Sequence, residues 1–135
     1  MKILVIDGQG GKIGSRLIEL IKEKMKNTEI TAVGTNSIAT AAMLKSGADF
    51  GATGENAVKV ACRKAQAILG PIGIISADSL LGEVSPEMAV AVGSSDAVKI
   101  LIPMNRCDTL VAGITELSVG TLIEDAVKKL INLAD

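Results

Sequence analysis

Short apolar runs recur along this chain, each followed by a stretch whose apolar residues return every three or four positions. "KILVI" (2–6) has the unbroken apolar character of a strand buried on both faces. From Lys12 to Met25, Ile13, Leu17, Leu20, Ile21 and Met25 keep helical spacing, with Arg16, Glu19, Lys22 and Glu23 between them. "EITAVG" (29–34) predicts a second strand and "SIATAAMLKSG" (37–47) a short helix ended by Gly47, its alanines suited to close approach to a sheet. "ADFGA" (48–52) predicts a third strand, a helix follows from about Glu55 to Lys64, and "AQAILG" (65–70) a fourth strand. Ser85 and Pro86 read as N-cap and first residue of a helix over 85–95. "VKILIP" (98–103) and "TLVAGI" (109–114) predict two more strands before a closing amphipathic helix from Val119. Strand and helix in strict alternation define an α/β fold: one doubly wound, mainly parallel Rossmann-like sheet with helices on both faces, spanning residues 1–135 as a single domain.

Absent residue types narrow the chemistry. The chain has no His, Trp or Tyr, and Phe50 is its sole aromatic. That removes the commonest general base, the commonest metal ligand and the phenol acid, so no metal site is expected. It also removes the stacking surfaces of single-strand nucleic-acid binders. Fourteen basic residues against fifteen acidic ones leave no basic stripe for a nucleic-acid backbone. No apolar run reaches the roughly 20 residues of a membrane span, and "MKILVIDG" turns glycine-rich too early for a signal peptide. Cys62 and Cys107 form neither zinc spacing nor a disulfide framework, so a cytoplasmic protein with free thiols is expected.

The glycines at 8, 11 and 14 sit where the first strand turns into the first helix. "GQGGKIG" comprises Gly8, Gln9, Gly10, Gly11, Lys12, Ile13 and Gly14. It lacks a strict G-x-G-x-x-G, because Ile13 stands where the last glycine belongs, but it matches G-x-x-G-x-x-G. It is not a P-loop, since Ile13 follows Lys12 where Ser or Thr is required. The stretch resembles the start of extended short-chain dehydrogenases and related nucleotide-binding proteins, whose loops read much like "GATGFIG". The resemblance implies a phosphate seat. Gly8 permits the tight turn, Gly11 lets a pyrophosphate approach, and Gly14 lets the helix lie on the sheet. Free N–H groups at the helix start attract the anion, with Lys12 adding charge. The bland alternative is a tight structural turn. The resemblance covers about forty residues, and those enzymes' Tyr-x-x-x-Lys pair has no counterpart in a chain without tyrosine. Dehydrogenase activity is therefore not implied.

Polar and glycine punctuation also follows the later strands, while the opposite rim ("KEKMKNTE", "KSGAD", "RKAQ") is ordinary. In "GTNS", Thr35, Asn36 and Ser37 either bond a ribose or cap the next helix. In "ATGEN", Thr53 and Gly54 form a second anion nest, or Thr53 is an N-cap. "GPIG" offers backbone groups of Gly70, Pro71 and Ile72 to a flat ligand, or merely kinks the chain. Asn105 and Arg106 in "PMNRC" are candidate ligand contacts, and Cys107 beside Arg106 is either a lowered-pKa thiol or a structural one. Asp7 braces the loop through backbone N–H bonds, or else is a catalytic or Mg²⁺-holding carboxylate.

Over almost its full length, through "IDGQGG-IG", "GTN-IAT-AMLK-GA", "GATGENA", "GPIGI" and "ILIPMNRC", the chain resembles a family of short bacterial proteins catalogued as a domain of unknown function. That resemblance implies the fold and no activity. Three function classes remain. The first is a sensor or accessory protein binding a small phosphate-bearing ligand, either NAD or NADP or another phosphate-bearing nucleotide. The second is an enzyme acting on a phosphorylated or nucleotide substrate. The third is a scaffold whose "PIGIISADSLLGEV" (71–84) forms a subunit interface. A homo-oligomer is expected, without nucleic-acid or membrane partners.

Overall fold

A computed structural model describes residues 1–104, 109–114 and 117–135. Its elements run β1 (Lys2–Asp7), α1 (Lys12–Lys24), β2 (Glu29–Gly34), α2 (Ser37–Lys45), β3 (Phe50–Thr53), α3 (Glu55–Lys64) and β4 (Ala67–Pro71). A 3₁₀ turn (Ile72–Ile75), α4 (Pro86–Gly93), β5 (Val98–Ile102) and α5 (Val119–Ala134) complete them. The strands form one parallel sheet in the order β3-β2-β1-β4-β5.

Alternation along the strands builds two cores. Ile3, Val5, Ile30, Ala32, Leu69 and Ile100 face α1, α2 and α5, where Leu17, Ile18, Met43 and Val127 cover them. Leu4, Ile6, Val33 and Ile68 point to the other face, under Val58, Cys62, Ile74, Met88 and Val92. Each fully buried aliphatic side chain contributes about 2 kcal/mol relative to exposure, so the central strand β1 is the best-anchored element.

Local chemistry explains the helix ends. Asn36 and Ser85 cap α2 and α4 by accepting from the amides of Ala39 and Met88, and Pro86 opens α4. Gly47, at φ +116°, follows the last turn of α2, and its amide donates to the Leu44 carbonyl. Close approach explains other glycines. A Cβ on Gly11 would lie 2.9 Å from the Cα and carbonyl oxygen of Ala39, so α2 packs backbone-close against the start of α1.

One expectation needs correction. Residues 109–114 form no strand: Ala112 and Gly113 make a turn, with Gly113 at φ +84° and the Ile114 amide bonded to the Val111 carbonyl. Between β4 and α4, residues 72–84 form the 3₁₀ turn and a further series of turns.

The seam between β1 and β4 is tight enough to test. A Cβ on Gly70 would lie 2.3 Å from the Ile6 carbonyl oxygen. Gly70→Ala is expected to cost about 3 kcal/mol in urea denaturation. A loss under about 1 kcal/mol would show that the seam relaxes freely.

Candidate functional site

β1 sits between β2 and β4, and the chain passes from β1 to β2 but reaches β4 only after β3 and α3. The carboxyl ends of β1 and β4 therefore part at a topological switch point, where doubly wound sheets hold their ligands. A cleft of about 430 Å³ opens there. Its floor is the glycine loop from Asp7 to Ile13, and its walls are Arg16, Pro71, Leu80, Met104 and Val119.

The loop is held by two carboxylates of the protein itself. Asp7 accepts the amide of Gly8 on one oxygen and that of Gly14 on the other, both at 2.8 Å. Gly11 precedes α1 without a side-chain cap, so Asp7 does a cap's work on the third amide of that helix. Gly14 is glycine because a Cβ there would lie 2.5 Å from the Met43 sulfur and 3.0 Å from the Asp7 Cβ. Burial pushes the Asp7 carboxyl above the usual aspartate range, against the amides of Gly14, Gly8 and Ile13, and the negative charge of Glu83 adds to the rise.

Glu83 is the second carboxylate, and nothing in its sequence spacing marks it. Its Oε1 accepts from the Gln9 amide at 2.8 Å, the Thr35 hydroxyl at 2.6 Å and the Asn36 amide side chain at 2.8 Å. Burial works to raise its pKa, but the hydrogen bonds from Thr35, Gln9 and Asn36 outweigh it and hold the group below the usual glutamate range.

The amides of the loop are thus unequally disposed. Those of Gly8, Gln9 and Gly14 are bound to side-chain carboxylates, and that of Gly11 to the Gly8 carbonyl. The amides of Gly10 and Lys12 have no protein partner among the described residues. A Cβ on Gly10 would meet nothing within 4 Å. Lys12 and Arg16 are exposed beside this open side of the loop.

Of the residues singled out from sequence, Gly8, Gln9, Gly10, Gly11, Lys12, Ile13 and Pro71 meet at the cleft. Gly14 and Gly70 lie buried behind it as packing residues, and Ile72 opens the 3₁₀ turn. Thr35 and Asn36 are engaged with Glu83, and Asn36 also caps α2. Thr53 is not the N-cap of α3: it ends β3, its hydroxyl 2.7 Å from that of Thr40, and Gly54 takes the cap position at φ +101°. Asn105, Arg106 and Cys107 lie outside the described residues. Arg16, Leu80, Met104 and Val119 join the site through tertiary packing that local pattern does not reveal.

A larger groove, about 680 Å³, separates α3 from α4 at the opposite rim of the sheet. It borders Cys62, whose thiol burial pushes up to about 11 despite the opposing charge of Lys99. That thiol is a core group rather than a nucleophile. Among the described residues, no cluster of three or more His, Cys, Asp or Glu suits a metal, and no helix is long and apolar enough to cross a membrane.

Chain path and cleft together define a doubly wound α/β protein of the Rossmann-like class. Residues 2–135 match the model of the family described as Domain of unknown function (DUF3842), and the chain belongs to that family. No curated protein shows significant sequence similarity to it. Among solved structures, it is similar to a dodecameric FMN-dependent UbiX-like decarboxylase from Escherichia coli O157:H7. That similarity has a TM-score of 0.53 and 17% identity, over 98% of this chain and 94% of that one. At this identity the likeness establishes the fold.

The two carboxylates should leave opposite marks on stability. Glu83, with a lowered folded pKa, contributes stability that is present above its unfolded value and lost as pH falls through the folded one. Asp7, with a raised folded pKa, contributes stability that is full below its unfolded value and lost as pH rises through the folded one. Urea midpoints between about pH 3 and pH 7 should show the wild type losing ground to Glu83→Gln on acidification, and to Asp7→Asn on alkalinisation. Parallel curves for either pair would contradict the assignment.

Proposed function

We propose that this protein binds a nucleotide-type phosphate ester at the β1–β4 cleft and works as a sensor or accessory protein. The observation that carries the reading is that the amides of Gly10 and Lys12 have no partner among the described residues, whereas those of Gly8, Gln9, Gly11 and Gly14 are engaged. These two N–H groups, one just before and one at the start of α1, with the exposed Lys12 and Arg16 cations lining the same cleft, favour an anion. Pro71, Leu80, Met104 and Val119 supply an apolar wall for a base or flavin-like ring.

The structural neighbour supports a phosphate-bearing ligand, since it is an FMN-dependent enzyme. A purely binding role is favoured over catalysis because Asp7, the acid within the cleft, has both oxygens committed to backbone amides. We also infer a homo-oligomer, as the neighbour is named a dodecamer, and Leu81, Ile38 and Val90 are 96%, 71% and 66% exposed.

FMN and inorganic pyrophosphate serve as probes. FMN should raise the melting temperature, with the shift shrinking as salt is added. Lys12→Ala and Arg16→Ala should each weaken binding about tenfold. Gly10→Glu puts a carboxylate into open space at a residue outside the left-handed region, so it should abolish the shift while the apo protein melts normally. A shift that survives Gly10→Glu would place the ligand elsewhere.

A further inference from the structure

Half of the crevice that a dinucleotide requires is already filled by the chain. Dinucleotides lie across the strand ends, with the pyrophosphate on the glycine loop and one ribose over the end of β2. Here the segment 76–84 crosses from β4, laying Glu83 over that place and Leu80 against Gly8 at its border with the open cleft. A Cβ on Gly8 would lie 2.5 Å from the Thr35 hydroxyl oxygen, 2.9 Å from Glu83 Oε1 and 2.9 Å from Leu80 Cδ1. The donors that a ribose or second phosphate would use there, from Gln9, Thr35 and Asn36, converge instead on one Glu83 oxygen. No residue of the loop after β2 lines the open cleft.

The segment is held in this form at a cost. Asp78, Leu80 and Leu81 have φ of +65°, +56° and +58°, left-handed conformations that are unfavourable for the two leucines above all, since a short polar Asp tolerates them better. Its closure is secured by the Asp78 amide on the Val84 carbonyl at 2.7 Å, the Val84 amide on the Ser79 carbonyl, and the Ser79 hydroxyl on the Gly73 carbonyl.

We infer that the site accepts a ligand whose phosphate is terminal, a mononucleotide monoester, and excludes dinucleotides, with Glu83 and Leu80 as the excluding residues. The inference rests on the phosphate-ester reading above. A terminal phosphate ends the molecule at Gly10 and Lys12, and its ring system extends along the Pro71, Met104 and Val119 side of the cleft. An internal pyrophosphate must continue past Gly8, where it meets the Leu80 side chain and the Glu83 carboxylate.

Isothermal titration of the full chain with two matched pairs, FMN against FAD and 5′-AMP against NAD, tests this. In at least one pair the monophosphate should bind ten or more times more tightly than its dinucleotide. Glu83→Ala should narrow that ratio, and Leu80→Ala should do so where the first variant fails to fold. Equal binding of monophosphate and dinucleotide by the wild type would leave the phosphate reading standing and overturn this inference. So would an unchanged ratio in a folded variant. Absence of binding by both monophosphates would overturn the phosphate reading and this inference with it.

Discussion

The Asp7 carboxylate is the interaction on which the rest of the site depends. It stands at the end of the central strand β1 and reaches across the turn to the first turn of α1. Placing a carboxyl there is unfavourable until it is hydrogen-bonded, and the Gly8 and Gly14 amides provide those bonds. Hydrogen bonds to a charged group contribute about 1.5–3 kcal/mol each, enough to offset much of the burial. Strand, loop and helix are thereby tied together at the floor of the cleft.

Much of the architecture was legible from periodicity. The five strands of the sheet, the helices between them, the cap at Ser85 and the stop at Gly47 are all local signals, whereas at Asn36 the pattern left a ribose contact and a helix cap equally open and the structure shows the cap. Residues 109–114 misled because apolar β-branched composition cannot say whether a neighbouring strand exists to accept hydrogen bonds. Glu83 was illegible for a different reason. It meets Thr35 across 48 positions, through a bend with three left-handed non-glycine residues that no propensity favours. The sequence spacing singles out the glycines at 8, 11 and 14, yet all three are closely packed, and the position that faces open space is Gly10, outside that set.

That division bears on how Rossmann-like loops are read. A glycine-rich turn is usually taken as a seat for a ligand's charge, but here the protein's own acids occupy most of the seat. What is left is a narrower, directional opening flanked by Lys12 and Arg16. The likeness to the UbiX-like decarboxylase extends along the chain path, whereas the Glu83 lock is a feature of these particular residues.

A loop supported by internal counter-charges is shaped before anything arrives. On the proposed reading, recognition would require little ordering of the backbone, leaving diffusion and desolvation to set the association rate. Occupancy of such a preformed seat would then follow ligand concentration reversibly.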